Sequence, residues 1–98
     1  MKLIWTEPSI EDLRSIRDYI ARDSEYYAID LIEQLILAAE RLVQFPQLGR
    51  AVPETQNQDI RELSYESYRI IYRIAGERVE ILTLVHGRRE RTKLPSPG

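Results

Sequence analysis

The chain has 98 residues, 43% of them apolar and 31% charged, the profile of one folded domain with a single core. With no cysteine and a single histidine, His86, disulfides, cysteine metal sites and histidine-rich metal centres are excluded, and no cofactor is expected. The net charge of −2 argues against a dedicated nucleic-acid coat, but residues 1–49 carry five basic and nine acidic side chains, whereas residues 50–98 carry nine basic and seven acidic. An anionic or acidic partner is therefore expected on the C-terminal half. No run approaches the ~18 consecutive apolar residues of a membrane span, and Met1-Lys2-Leu3 does not open a signal peptide. A cytoplasmic protein with no membrane contact is the expectation.

Leu3-Ile4-Trp5 reads as a strand. Thr6 is placed to cap a helix in which Pro8 is tolerated in the first turn, with Glu7, Glu11 and Asp12 near the positive end. Ile10, Leu13, Ile16 and Ile20 then recur at three- and four-residue steps and mark one helical face. Asp23-Ser24 interrupts that pattern, and Ser24 can cap a second helix whose stripe is Ala28, Leu31, Leu35, Ala38 and Leu42, widened by Ile32, Ala39 and Val43. Pro46 ends the run. So short a joint makes the two helices an antiparallel hairpin, which needs a further layer to cover its apolar stripes.

That layer comes from the second half. Residues 46–50 read as a loop and residues 53–58 as a second polar loop; from Asp59 the period changes to two. Ile60-Arg61-Glu62-Leu63 reads as a strand, Tyr65-Glu66-Ser67 as a turn, and Tyr68 to Ile74 as a strand with Tyr68, Ile70, Tyr72 and Ile74 on one face and Arg69, Ile71 and Arg73 on the other. Gly76-Glu77 forms a tight turn into a last strand, Val79 to Val85. The order β-α-α-β-β-β implies an α+β fold with a helical hairpin on a mainly antiparallel sheet. Residues 1–98 form one domain in this reading, with a basic tail over 88–98 expected to fray.

Arg69 and Arg73, flanking Ile71 on one strand face, are the most unusual feature. A buried sheet face does not accept two guanidiniums without partners, so this face is expected to be partly open. It is either a cationic docking surface for phosphates and carboxylates or a solvated face with local ion pairs to residues such as Glu62 or Glu80. His86-Gly87-Arg88-Arg89 is either a general acid beside transition-state arginines or a strand end followed by a solvated basic turn. Glu54 is a candidate base if its loop folds back over the arginines. Trp5, Tyr68 and Tyr72 read as packing groups rather than base-stacking platforms. No pattern for nucleotide hydrolysis, dinucleotide redox chemistry, metalloproteolysis or esterase chemistry occurs.

Taken together, Trp5, Asp12-Leu13, Tyr19-Ile20-Ala21, Phe45-Pro46, Gly49-Arg50, Val52-Pro53-Glu54, Ile60-Arg61-Glu62-Leu63, Tyr68-Arg69-Ile70-Ile71-Tyr72 and Val85-His86-Gly87-Arg88-Arg89 resemble the ParE/RelE toxin superfamily of type II toxin–antitoxin systems over nearly the whole chain. The resemblance implies a toxin neutralised by a cognate ParD-like antitoxin through an acidic C-terminal segment, in a hetero-oligomeric complex. Its ParE-like branch implies inhibition of DNA gyrase by binding; its RelE-like branch implies ribosome-dependent cleavage of mRNA. For the RelE-like branch, arginines match Arg69 and Arg89, but two lysines fall at Ile60 and Glu62 and a C-terminal tyrosine falls near Pro95. A related ribonuclease branch uses a loop glutamate and a C-terminal histidine, with Glu54 and His86 as counterparts. The catalytic set under a ribonuclease reading is thus Glu54, Arg69, His86 and Arg89. The binding set under the favoured ParE-like reading is Arg61, Arg69, Ile71, Arg73, His86, Arg88 and Arg89. An inactive toxin-fold binding module is the third alternative.

Overall fold

Thr6 joins the first two elements and fixes both. In the computed structural model, which describes residues 1–87, strand β1 (Lys2–Trp5) ends at Thr6 and helix α1 (Glu7–Ala21) starts there. The Thr6 hydroxyl accepts from the Ser9 amide and donates to the Ile81 carbonyl at 2.6 Å, so one side chain caps the helix and ties it to the sheet. Ser24 caps α2 (Glu25–Glu40) in the same manner, accepting from Tyr27 at 3.1 Å. A 3₁₀ turn over Arg41–Val43 tightens the end of α2 ahead of Pro46.

The helix stripes face the sheet largely as the spacing predicts. Leu13, Ile16 and Ile20 of α1 pack on the core, while Ala28, Leu31, Leu35, Ala39 and Leu42 are buried. Two positions differ. Ile10 is 37% exposed and Ser9 fully buried, because Ser9 lies one full turn before Leu13 on the same line of the helix and Ile10 falls to its flank. Ala39 replaces Ala38 on the centre line for the same reason, lying four residues after Leu35.

Three further strands follow the expected order: β3 (Ile60–Tyr65), β4 (Tyr68–Ala75) and β5 (Arg78–His86), preceded by a two-residue strand β2 (Arg50–Ala51). The segment expected to be loop at Arg50 therefore adds a short edge strand, paired with β3 at Glu62 and Arg61. The sheet order is β1-β5-β4-β3-β2, with β1 parallel to β5 and every other pair antiparallel. Gly76 takes a positive φ of 62° in the β4–β5 turn, the conformation a two-residue hairpin requires.

The main core lies between helices and sheet, where Ile70, Tyr72, Val79, Ile81 and Leu84 meet the α2 stripe. A smaller cluster on the opposite sheet face joins Val52, Ile60, Ile71 and Leu82. Two long-range ties were not legible in the sequence. Pairing shifts between Ile71–Thr83 and Tyr72–Ile81 leave Leu82 as an extra residue on β5. At this bulge the Asp12 carboxylate accepts from the Thr83 hydroxyl and from the Leu84 amide, holding α1 against β5. The Tyr72 hydroxyl, fully buried, donates to the Pro46 carbonyl at 2.7 Å and accepts from the Gly49 amide at 2.9 Å. It clamps the loop that leads into β2.

Burial pushes the Tyr72 phenol above its ordinary pKa, opposed in part by the Gly49 amide and by Arg61. The folded state then holds this proton more tightly than the unfolded chain. The resulting stability is complete below about pH 10 and is lost as pH rises through the folded-state value. Tyr72→Phe is expected to lower stability at neutral pH by about 1–3 kcal/mol, since it leaves the Gly49 amide unpaired. It should also flatten the loss of stability above about pH 10. Urea unfolding of both proteins across that range checks this, and parallel alkaline slopes would contradict it.

Candidate functional site

On the sheet face turned away from the helices, β3 presents Ile60, Glu62 and Ser64, and β4 presents Arg69, Ile71 and Arg73. The Glu66–Ser67 turn sets the register that places Ser64 beside Arg69 and Glu62 beside Ile71. Glu66 itself has φ 51°, a left-handed conformation that is costly for a side-chain-bearing residue and here is enforced by the tight hairpin.

The face is only partly open, and its two arginines behave differently. Arg69 is 8% exposed and Glu62 2%; the two form a buried ion pair. The other Glu62 oxygen accepts from Arg50 at 3.1 Å, so the edge strand β2 is bound to the same carboxylate. Glu54 reaches back from its loop to Arg69 at 3.3 and 3.5 Å. Burial alone lowers the pKa of the Arg69 guanidinium, but hydrogen bonds and charge from Glu62 and Glu54 outweigh it and leave the group above its ordinary value. Arg69 is a permanent cation. Arg73 pairs instead with Glu80 at 2.6 and 3.0 Å, and its side chain keeps 39% of its surface.

A recess of ≈ 730 Å³ opens beside Arg69, lined among others by Arg50, Glu54, Glu62, Ser64, Glu66, Ser67 and Gly87. Among the described residues its charged lining comprises three carboxylates and two guanidiniums. The expected docking arginines are spent largely on neighbours, because a guanidinium in a covered sheet face requires a counter-ion.

Of the residues singled out from the sequence, Glu54 and Arg69 are brought together. Ile71 is 3% exposed and sits under Val52 and Ile60, and Arg61 turns to the helix side to donate to the Gly49 carbonyl at 2.9 Å. His86 packs edge-to-face on Tyr68, with ring centroids 5.5 Å apart. Tyr68 precedes Arg69 on β4 and also lines the recess, as does Gly87 next to His86. The His86 Nδ1 is buried without a hydrogen-bond partner among the described residues. Arg88 and Arg89 lie outside the described residues. The site residues missed by sequence reasoning are Arg50, Ser64, Glu66 and Ser67; the hairpin register, once the turn is placed at Glu66–Ser67, was the signal that could have found three of them.

Among the described residues no helix is long and apolar enough to cross a membrane, and no cluster of three or more acidic, histidine or cysteine side chains is set to hold a metal ion.

Compared with known proteins, residues 3–91 match the family described as ParE toxin of type II toxin-antitoxin system, parDE. The chain is 34% identical over 89 residues to Toxin RelE2 of Caulobacter vibrioides, covering 90% of this chain and 97% of that protein. Among solved structures it is similar to a chain of the chromosomal ParDE toxin–antitoxin system from P. aeruginosa, with a TM-score of 0.74, 24% identity, and 88% and 95% of the two chains covered. It is also similar to a chain of the toxin–antitoxin complex RelBE2 from Mycobacterium tuberculosis, with a TM-score of 0.63, 20% identity, and 87% and 95% covered. At these identities the two structural matches establish the shared fold.

The long contacts and 29% exposed side chain of Glu54 mark it as a minor partner of Arg69. Glu54→Gln is expected to cost under about 1 kcal/mol in urea unfolding, in the range of solvent-accessible ion pairs. A loss near the 3–5 kcal/mol of a broken buried pair would show that Glu54 shares the structural role of Glu62.

Proposed function

The chain belongs to the ParE toxin family of type II toxin–antitoxin systems, and from that membership we propose that it acts by binding, as a ParE-like inhibitor of DNA gyrase neutralised by a ParD-like antitoxin. The observation that carries this reading is the engagement of Arg69. A ribonuclease needs its cations free to meet a developing phosphate charge, and here the central guanidinium is buried against Glu62. The positions where RelE-like toxins place lysines hold Ile60 and Glu62, both buried. His86 packs on Tyr68 and makes no hydrogen bond to Glu54 or Arg69.

The antitoxin surface in this reading has an apolar and a basic part. Tyr19, Tyr26, Ile29, Leu37, Phe45 and Leu48 are all more than 40% exposed. An antitoxin segment that orders on binding would cover such groups. Its acidic side chains would pair with Arg73 and with Arg88 and Arg89. Arg61, Arg69 and Ile71 would act from beneath, by holding the strand that presents Arg73.

A RelE-like ribonuclease is the second reading. It is favoured by the 34% identity to a protein named Toxin RelE2 and by the contact of Glu54 with Arg69, a carboxylate and a guanidinium beside an open recess.

Purified toxin added to gyrase supercoiling reactions and, in parallel, to translating ribosomes separates the two. Loss of supercoiling with intact mRNA is the expected result. Cleavage of mRNA that Glu54→Ala abolishes while the variant stays folded, with supercoiling unaffected, would replace the first reading by the second.

A further inference from the structure

Glycine fits the backbone at the tip of the β3–β4 hairpin at least cost, yet the chain places a carboxylate there. Glu66 has φ 51° and is exposed. Tyrosines gather around it. The Tyr27 hydroxyl, from the first turn of α2, donates to Glu66 Oε1 at 3.3 Å. Tyr65 and Tyr68, paired across the turn on either side of Glu66, both pack on the main core. Tyr19, from the last turn of α1, is close enough to Tyr68 to help raise its phenol pKa. Core packing and the His86 ring, edge-on to Tyr68, hold this aromatic wall in place.

The wall carries negative charge. Among the described residues no cation pairs with Glu66. Its charge is the largest cause of the raised Tyr27 phenol pKa, and it adds to the rise in Tyr65 and Tyr68, where burial leads. The exposed charges on the adjoining helix ends are Asp23, Glu25 and Asp30 against Arg22. Electron-rich ring faces beside a carboxylate attract a cation and repel a polyanion such as nucleic acid. Arginine suits both parts, because its planar fork donates to a carboxylate and also lies flat on an aromatic face. The chain already uses the second half of that pairing, with the Arg22 guanidinium 5.8 Å from the Tyr19 ring centroid. Tyr27 is 45% exposed and Tyr19 61%, so the corner is too open to enclose a small free ligand. Tyr26 and Ile29, on the first two turns of α2 and more exposed still or nearly so, offer apolar ground to the residues flanking an arginine in a polypeptide.

We propose that this corner is a docking site for an arginine of a partner protein, its guanidinium donating to the Glu66 carboxylate while lying against the tyrosine rings around it. The inference is independent of the gyrase reading, since it concerns what the surface recognises and not what that recognition achieves. It also explains a carboxylate at a turn position that favours glycine: the fold gains little from it, and the site needs it.

A capped leucine–arginine–leucine tripeptide, titrated into the full-length protein with isotope-labelled tyrosine rings, tests this by NMR. Saturable shifts at Tyr27 and Tyr68 are expected, with an affinity at least about fivefold above that of the leucine–glutamine–leucine counterpart. Glu66→Gln should weaken the arginine peptide by a similar factor. Glu66→Gly, which relieves the left-handed backbone, should weaken it equally while unfolding at no lower urea concentration, so that lost binding is not lost folding. Bound arginine should also lower the alkaline titration midpoint of Tyr27, because it offsets the Glu66 charge. Equal affinity for the glutamine peptide, shifts confined to Tyr26, no saturable shift, or binding retained in both Glu66 variants would each overturn the proposal. So would tighter binding of a single-stranded oligonucleotide at the same rings.

Discussion

Two charges that cannot be buried singly set the form of the sheet's outer face. Moving a lone guanidinium or carboxylate out of water costs several kcal/mol, a penalty that their mutual attraction and further hydrogen bonds must offset. Arg69 and Glu62 meet that condition together, with Arg50 and Glu54 completing the set. The requirement accounts for the side chains that converge on the pair, Arg50 from β2 and Glu54 from the loop after it. The small apolar cluster of Val52, Ile60, Ile71 and Leu82 keeps water from the same region and so strengthens the ion pair it adjoins.

Much of the layer arrangement was written in local patterns. The caps at Thr6 and Ser24, the three- and four-residue stripes of the helices, and the two-residue alternation of Tyr68 to Ile74 each act over a few residues, so each can be read without knowing the partner. What escaped was long-range. The strand at Arg50–Ala51 is too short to carry a period and is held by distant residues, Glu62 on Arg50, and Tyr72 and Arg61 on Gly49. The bulge at Leu82 is recognisable only once Asp12 is seen to reach Thr83 and Leu84. The outer face was legible in its residues but not in its sign. Arg69 and Arg73 read as a cationic surface because their counter-ions, Glu62, Glu54 and Glu80, come from other strands and loops; the structure contains the local ion pairs to Glu62 and Glu80, but the Arg69–Glu62 pair is buried rather than solvated.

The same geometry bears on how a toxin of this family works. The fold is shared with chains from both ParDE and RelBE2 systems, so architecture does not select a mechanism. Selection rests on whether charge is available. A guanidinium held by a buried carboxylate is a poor electrophile for a transition state but a good structural pin, and an arginine such as Arg73, half-exposed and paired at the surface, can exchange its partner for a ligand at small cost. The outer face is therefore suited to recognition by exchange of ion pairs, with Arg69 fixed and the more exposed cations exchanged.

The claim on which these conclusions rest is that Arg69 is committed to Glu62. A double-mutant cycle with Arg69→Met and Glu62→Leu, read by urea unfolding, measures that commitment directly. Each single variant should lose about 3–5 kcal/mol by stranding one buried charge, and the double variant should recover most of that loss. Single losses below about 1 kcal/mol that simply add would mean a solvated, exchangeable pair, and Arg69 would then be free for the chemistry its burial otherwise denies it.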